Sequence, residues 1–280
     1  MTQIQNRPEV RAPHARIGAV LTGTARVSPR LAGRLALELW RRPGRPAAVR
    51  ASERAVHEAA TRSSVDHRGR VTVYAWGDGD RPVLLVHGWG ARASRYAELV
   101  SALLDRGYSP VAYDAWAHGS SPGPVRTILD HQVVIAALAE RYGGFVGVVA
   151  HSFGVPVALH AVPAGRVVAI SGMADFGQVT DGFCAGLGAD QRVNTQLRRA
   201  IERRYFDGDA GIWERFSAHP APGRELLVLH DTDDRVVDAR QADLLAATGA
   251  EVIRTSGLGH SRILADPAVV AAVVAFLDRP

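Results

Sequence analysis

Ala150-His151-Ser152-Phe153-Gly154 follows an apolar run, Phe145-Val-Gly-Val-Val149, and precedes a helix-like one, Val155-Pro-Val-Ala-Leu-His-Ala-Val162. A serine set between small residues at a strand-to-helix turn reads as a nucleophile elbow. The backbone turns so sharply there that the serine takes strained dihedrals, and only Gly or Ala two residues to either side avoids the neighbouring strand and helix. Ala150 replaces the first glycine of the usual G-x-S-x-G, so the string alone competes with a plainer reading, a loop serine capping a helix. The rest of the chain decides between the two.

Outward from the elbow, β-rich and helical runs alternate from Val71 onward, the pattern of a mostly parallel sheet with helices on both faces. Strands are expected at residues 71–76, 82–87, 109–114, 145–150, 167–171, 225–230 and 251–255, most of them short Val/Leu/Ile runs of the kind buried parallel strands need. Helices are expected at residues 91–104, 125–142, 153–161, 239–247 and 267–278. The rhythm breaks at about residues 174–222, which hold helical material (191–204 and 210–216) and no strand, so a helical cap is expected there, able to roof the strand ends.

Residues 1–66 read as a separate, basic, helical extension before an α/β domain at 67–280. Ser28-Pro29 is an N-cap and N1 pair, Leu31, Leu35, Leu39 and Trp40 form an apolar stripe that stops before Pro43-Gly44, and a second helix is expected at 51–60. Residues 1–70 carry 14 arginines against 5 acids, whereas the remainder carries 19 against 23, so the net charge of +5 belongs to the extension. An amphipathic helix with an arginine face could lie on a membrane surface; packing of the stripe against its own domain is the expectation. All 33 basic residues are arginine, with no aromatic interleaving and no nucleic-acid motif, and a solvated basic surface is expected rather than nucleic-acid binding.

At 280 residues and 47% hydrophobic content the chain can bury a large core. The single cysteine, Cys184, excludes an internal disulfide framework. No run of 18 apolar residues and no signal-peptide core occurs, so the expectation is a cytoplasmic protein with no membrane span. No His/Cys/Asp cluster has metal-ligand spacing, Gly88-Trp-Gly90 lacks the rest of a dinucleotide fingerprint, and no phosphate loop is present; no metal and no cofactor are expected.

A serine hydroxyl needs a base to take its proton and a third group to hold that base in the right tautomer. Both candidates follow later strands: His230-Asp-Thr-Asp-Asp-Arg-Val-Val237 and Gly257-Leu-Gly-His260. The order Ser, Asp, His resembles that of the α/β-hydrolase superfamily, and the resemblance runs from about Val71 to Leu277. His87-Gly88-Trp89-Gly90 resembles the family's oxyanion loop, and Asp114-Ala-Trp-Ala-His118-Gly119-Ser-Ser121 its D-x-x-x-H-G-x-S turn. The resemblance implies an α/β-hydrolase fold with a small cap.

Against the family's H-G-x-x-D-x-V-V, the acid falls on Asp234, with Asp231 and Asp233 expected to turn the loop. Asp175, after the strand before the cap, is the alternative that some relatives use. His260 is the expected base, and His87 and His118 are by resemblance structural, while His151 is expected to shape the elbow, with a role near the substrate as the alternative. The oxyanion donors are expected to be the backbone N–H groups of Phe153, which follows the nucleophile, and of Trp89, to which the resemblance points.

The expected activity is that of a serine hydrolase, with esterase or thioesterase action on a small to medium acyl substrate; Phe176, Phe183, Leu187 and Trp213 are either pocket walls or cap core. Serine at the elbow argues against haloalkane dehalogenase and epoxide hydrolase chemistry, whose members carry aspartate there. The same triad supports amide, carbon–carbon and perhydrolytic chemistry. The rival reading is a non-catalytic protein of this fold that binds a ligand or partner. Sequence does not give the oligomeric state.

Overall fold

The computed structural model describes residues 12–280; residues 1–11 of the expected extension lie outside the described residues. In chain order the described residues form α1 (Ala12–Val27), α2 (Pro29–Trp40), α3 (Arg54–Glu58), β1 (Thr61–Asp66), β2 (Arg70–Ala75), β3 (Pro82–Val86), α4 (Ala97–Leu104) and β4 (Ser109–Asp114). There follow α5 (Ile128–Tyr142), β5 (Gly147–His151), α6 (Gly154–Ala161), β6 (Gly165–Ile170), α7 (Gln178–Leu187), α8 (Gln191–Tyr205) and α9 (Ile212–Arg215). The chain closes with β7 (Arg224–Asp231), α10 (Arg240–Ala246), β8 (Glu251–Thr255), α11 (Gly259–Arg262) and α12 (Pro267–Leu277). The helices and strands fall into two compact units.

The larger unit, Pro43–Ala174 with Ala218–Pro280, is built on one eight-stranded sheet in the order β1-β2-β4-β3-β5-β6-β7-β8. β1 pairs with β2 and β2 with β4 antiparallel, and every other neighbour is parallel, as the alternation predicts. The central strands β4 and β5 are buried at every residue, which is why they read as runs of mostly small and apolar residues without a polar alternation. Because the chain steps from β3 to β4 on one side and returns to β5 on the other, the loops after β3 and β5 leave the sheet side by side. Such a switch point, at the carboxyl ends of parallel strands, is where open α/β sheets place ligands.

The seven expected strands are all present, two of them (β4 and β8) with the expected bounds and five with shifted ends, and the sheet has one more. β1 lies inside the stretch read as extension, and it escaped notice because Thr-Arg-Ser-Ser-Val-Asp has no apolar alternation. It is an edge strand with one buried residue, Val65, held from outside by Arg141, whose guanidinium donates to Ser63 Oγ and to the Ser64 carbonyl. Residues 43–66 therefore go with the sheet, and the compact-unit division falls after Arg42 rather than at 66.

The smaller unit brings the described residues up to Arg42 together with Asp175–Ser217. Ser28 and Pro29 stand at the N-cap and the first turn of α2 as expected, although the Ser28 side chain makes no capping hydrogen bond. The packing face differs from expectation: α2 buries Ala32, Gly33, Ala36 and Leu37, whereas Leu31, Leu35 and Leu39 are exposed. The reason is close approach. A Cβ at Gly33 would stand 2.5 Å from the Gln196 carbonyl oxygen of α8, so the helices meet through small residues that let the backbones near one another. Gly18 of α1 likewise abuts the Leu187 carbonyl at the end of α7.

Of the cap helices, the one expected at 191–204 is α8, the one at 210–216 shrinks to α9, and α7 was unforeseen because its glycines, Gly182 and Gly186, lower helix propensity. Phe176, Trp213 and Phe216 pack ring against ring, with centroids 5.8 and 5.3 Å from Phe176, as the core of this unit. Cys184 is buried here and burial pushes its thiol up to about 12, so it is unreactive at neutral pH.

Candidate active site

Ser152 sits between β5 and α6 with φ of +54°, the left-handed conformation that a non-glycine residue reaches only when its surroundings force it. The turn is held by Ser152 N donating to the Ile170 carbonyl of β6 (3.0 Å) and Val155 N donating to the Ser152 carbonyl (3.0 Å). Small residues are required on both sides. Gly154 presses on the Val86 and His87 backbone, Ala150 is fully buried in the sheet, and a Cβ at Gly88 would lie 2.7 Å from Ser152 Cβ.

The loops after β7 and β8 bring an acid and a base to this serine. His260 Nε2 is 3.1 Å from Ser152 Oγ, and His260 Nδ1 is 2.8 Å from Asp234 Oδ2. An ionised carboxylate only accepts, so Nδ1 carries the proton and Nε2 is left to accept from the serine hydroxyl. The Asp234 side chain is fully shielded from solvent, and its other oxygen accepts from Val236 N (2.8 Å) and Val237 N (3.0 Å). Burial works against its charge most strongly, yet the hydrogen bonds and the His260 ring hold its carboxyl below the usual carboxylate range.

Asp231 and Asp233 go elsewhere. Asp231 accepts from Asp233 N (3.0 Å), Thr255 Oγ1 (2.7 Å) and Leu258 N (3.0 Å), and Asp233 accepts from Gly257 N (2.8 Å). They do more than turn their own loop, since they tie it to the segment that carries His260. Asp175 belongs to the smaller unit, where its Oδ1 accepts from Gly177 N (2.7 Å).

His151 has a part that its place in the elbow only hinted at. Its Nε2 donates to the His260 carbonyl (2.8 Å) and its ring lies 4.7 Å from the His260 ring, so the elbow itself steadies His260. Burial, then the neighbouring His260, lowers His151 to about 3, which keeps the ring neutral.

The loop at residues 87–90 is anchored from below. Ala115 N donates to His87 Nε2 (3.0 Å), which leaves the proton on Nδ1 to donate to the Gly88 carbonyl (2.8 Å). The D-x-x-x-H-G-x-S turn is a staple: Asp114, fully buried, accepts from Ala93 N, Ser120 N and the Tyr74 hydroxyl, and Gly119 lies too close to its carboxylate for any side chain. The rings of Trp89 and Phe153 meet edge to face at 6.1 Å, which sets the backbone of this loop beside that of the elbow.

A small pocket opens at that junction, lined among others by Trp89, Phe153, Trp116, His118 and His131, and it holds on the order of one water molecule. Nothing in the sequence singled out His131, a helical residue of α5, yet its ring faces Trp116 and Phe153 and accepts from or donates to the Tyr113 hydroxyl at 2.8 Å. Burial lowers His131 to about 3 and His118 to about 4, so the pocket is lined by neutral imidazoles.

A model of the alpha/beta hydrolase family matches residues 83–273. A search of curated protein sequences finds no match. Solved structures do match. Esterase RhEst1 from Rhodococcus sp. ECU1013 is 18% identical with a TM-score of 0.54, over 78% of this chain and 98% of that one. The esterase EaEST from Exiguobacterium antarcticum is 16% identical with a TM-score of 0.56, over 75% and 96%. The thioesterase domain from the curacin biosynthetic pathway is 14% identical with a TM-score of 0.55, over 78% and 99%. At these identities the likeness is one of fold.

Proposed function

Since the chain belongs to the alpha/beta hydrolase family, we propose that it is a serine hydrolase cleaving an ester or thioester of a small to medium acyl substrate. The observation that carries this reading is the single imidazole of His260 bridging Ser152 Oγ at 3.1 Å and Asp234 at 2.8 Å. In the first step Ser152 Oγ attacks the acyl carbonyl carbon while His260 Nε2 takes the hydroxyl proton, and the carbonyl electron pair moves onto oxygen. The oxyanion is received by the N–H groups of Trp89 and Phe153, donors worth about 3 to 4 kcal/mol each in comparable sites. Collapse expels the alcohol or thiol with the proton from His260, and water repeats the sequence on the acyl-enzyme to release the acid. Asp234 holds the tautomer and stabilises the imidazolium.

The choice of ester or thioester is supported by the esterases and the thioesterase among the similar structures. A fluorophosphonate probe tests the reading: the folded protein is expected to be labelled at Ser152, with labelling lost in Ser152→Ala, and p-nitrophenyl esters or acyl thioesters are expected to turn over. A folded chain that neither labels nor turns over any activated ester would refute hydrolysis and leave a ligand-binding protein of this fold.

A further inference from the structure

The leucine row of α2 lies on the exposed side of the helix. Leu31 is 47% exposed, Leu35 40% and Leu39 37%, at i, i+4 and i+8, so the three stand one above another along the helix. They do not belong to the packed face, which consists of Ala32, Gly33, Ala36 and Leu37. On α1, packed against α2, Val20 and Val27 are exposed more strongly still.

Charge decides what such a surface fits. α1 and α2 contain one acidic residue, Glu38, and it is committed to Arg41 at 3.0 Å and Arg42 at 3.9 Å. Arg26, Arg30 and Arg34 are exposed and carry no ion pair among the described residues; on the side away from Ala32 and Ala36, Arg34 stands about 60° round the helix from Leu31, beyond the paired Glu38, and Arg30 about 100°. A second copy of this chain would set arginine against arginine. A nucleic acid would satisfy the guanidinium groups but offer the leucines nothing. An anionic lipid surface does both, with acyl chains for the leucines and headgroup phosphates for the arginines.

We propose that α1 and α2 dock this protein peripherally on an anionic bilayer, with the Leu31, Leu35 and Leu39 row buried at the headgroup boundary and Arg30 and Arg34 on lipid phosphates. Among the described residues no single helix is long and apolar enough to cross a membrane, and docking of this kind needs none.

The test uses the full chain and sedimentation with vesicles of phosphatidylcholine containing phosphatidylglycerol, against vesicles of phosphatidylcholine alone. Binding is expected to be ~10-fold or more tighter to the anionic vesicles and to weaken with salt. Leu31→Glu/Leu35→Glu/Leu39→Glu and, separately, Arg30→Glu/Arg34→Glu should each lose most of it while thermal unfolding is unchanged, because all five side chains are exposed. As a further reading, Leu35→Cys carrying an environment-sensitive fluorophore should shift to the blue on anionic vesicles; the only native thiol, Cys184, is buried and does not compete for label. The proposal fails if the protein does not sediment with anionic vesicles, if the leucine variant binds as well as the parent, or if solution mass shows a dimer that the leucine variant dissolves. Binding to duplex DNA with no vesicle binding would overturn it equally.

Discussion

Asp234 supports the site through geometry that only one carboxylate in its loop has. Asp234→Asn is expected to lower kcat by on the order of 10⁴ with little change in KM, because the amide presents the wrong partner to His260 Nδ1–H. Asp233→Asn should cost far less. Asp231→Asn should show chiefly as a lower melting temperature, since its buried carboxylate ties Thr255 and Leu258 to the β7 loop. His151→Ala removes the hydrogen bond to the His260 carbonyl, and a base displaced by about 1 Å can cost on the order of 10²-fold in kcat; unchanged turnover in that variant would show that His260 is held by Asp234 alone. Gly88→Ala should be damaging in both respects, with an overpacking cost of about 1 to 3 kcal/mol, because its Cβ would meet Ser152. The triad candidates were legible at this scale because each follows a strand in the expected order. His131 was not, since a histidine on a helix carries no mark of the pocket its helix borders.

At the scale of elements, a close approach between α2 and α8 defines the smaller unit, and it rests on Gly33. Gly33→Val should lower the stability of the chain by about 1 to 3 kcal/mol in urea unfolding, whereas Gly23→Ala on α1, whose Cβ would meet nothing within 4 Å, should be neutral or stabilising. Equal effects would mean that the two helices do not meet as described. The same contact explains a misreading. Large apolar residues at helical spacing ordinarily mark the buried face, and the leucines of α2 do not, because small residues admit a nearer neighbour. Buried central strands such as β4 were legible through their short run of small and apolar residues, while the edge strand β1 was not, because its pairing is made by backbone and most of its side chains face water.

For the whole molecule, buried neutral histidines make stability depend on acid. His118, His131 and His151 have folded values of about 4, 3 and 3, against about 6.5 in an unfolded chain. Protons therefore bind the unfolded state first as pH falls, and each histidine removes up to about 1.4 kcal/mol per pH unit, between about 6.5 and the folded value. Asp234 acts in the same direction lower down, since a carboxyl held below its ordinary range contributes stability above about pH 4 that is lost as pH falls through the folded value. Urea midpoints measured from pH 7 to pH 4.5 should fall steeply; a flat profile would place these rings in contact with water. The pairing of α2 with α8 has a consequence for synthesis as well. The first helices leave the ribosome well before α8, whose last residue, Tyr205, comes more than 160 residues after Trp40. At translation speeds of about 5 to 20 residues per second, that is on the order of 10 s during which α2 lacks its partner α8, and a nascent chain paused before α7, with α1 and α2 left only to one another, should keep them open to protease and to chaperones.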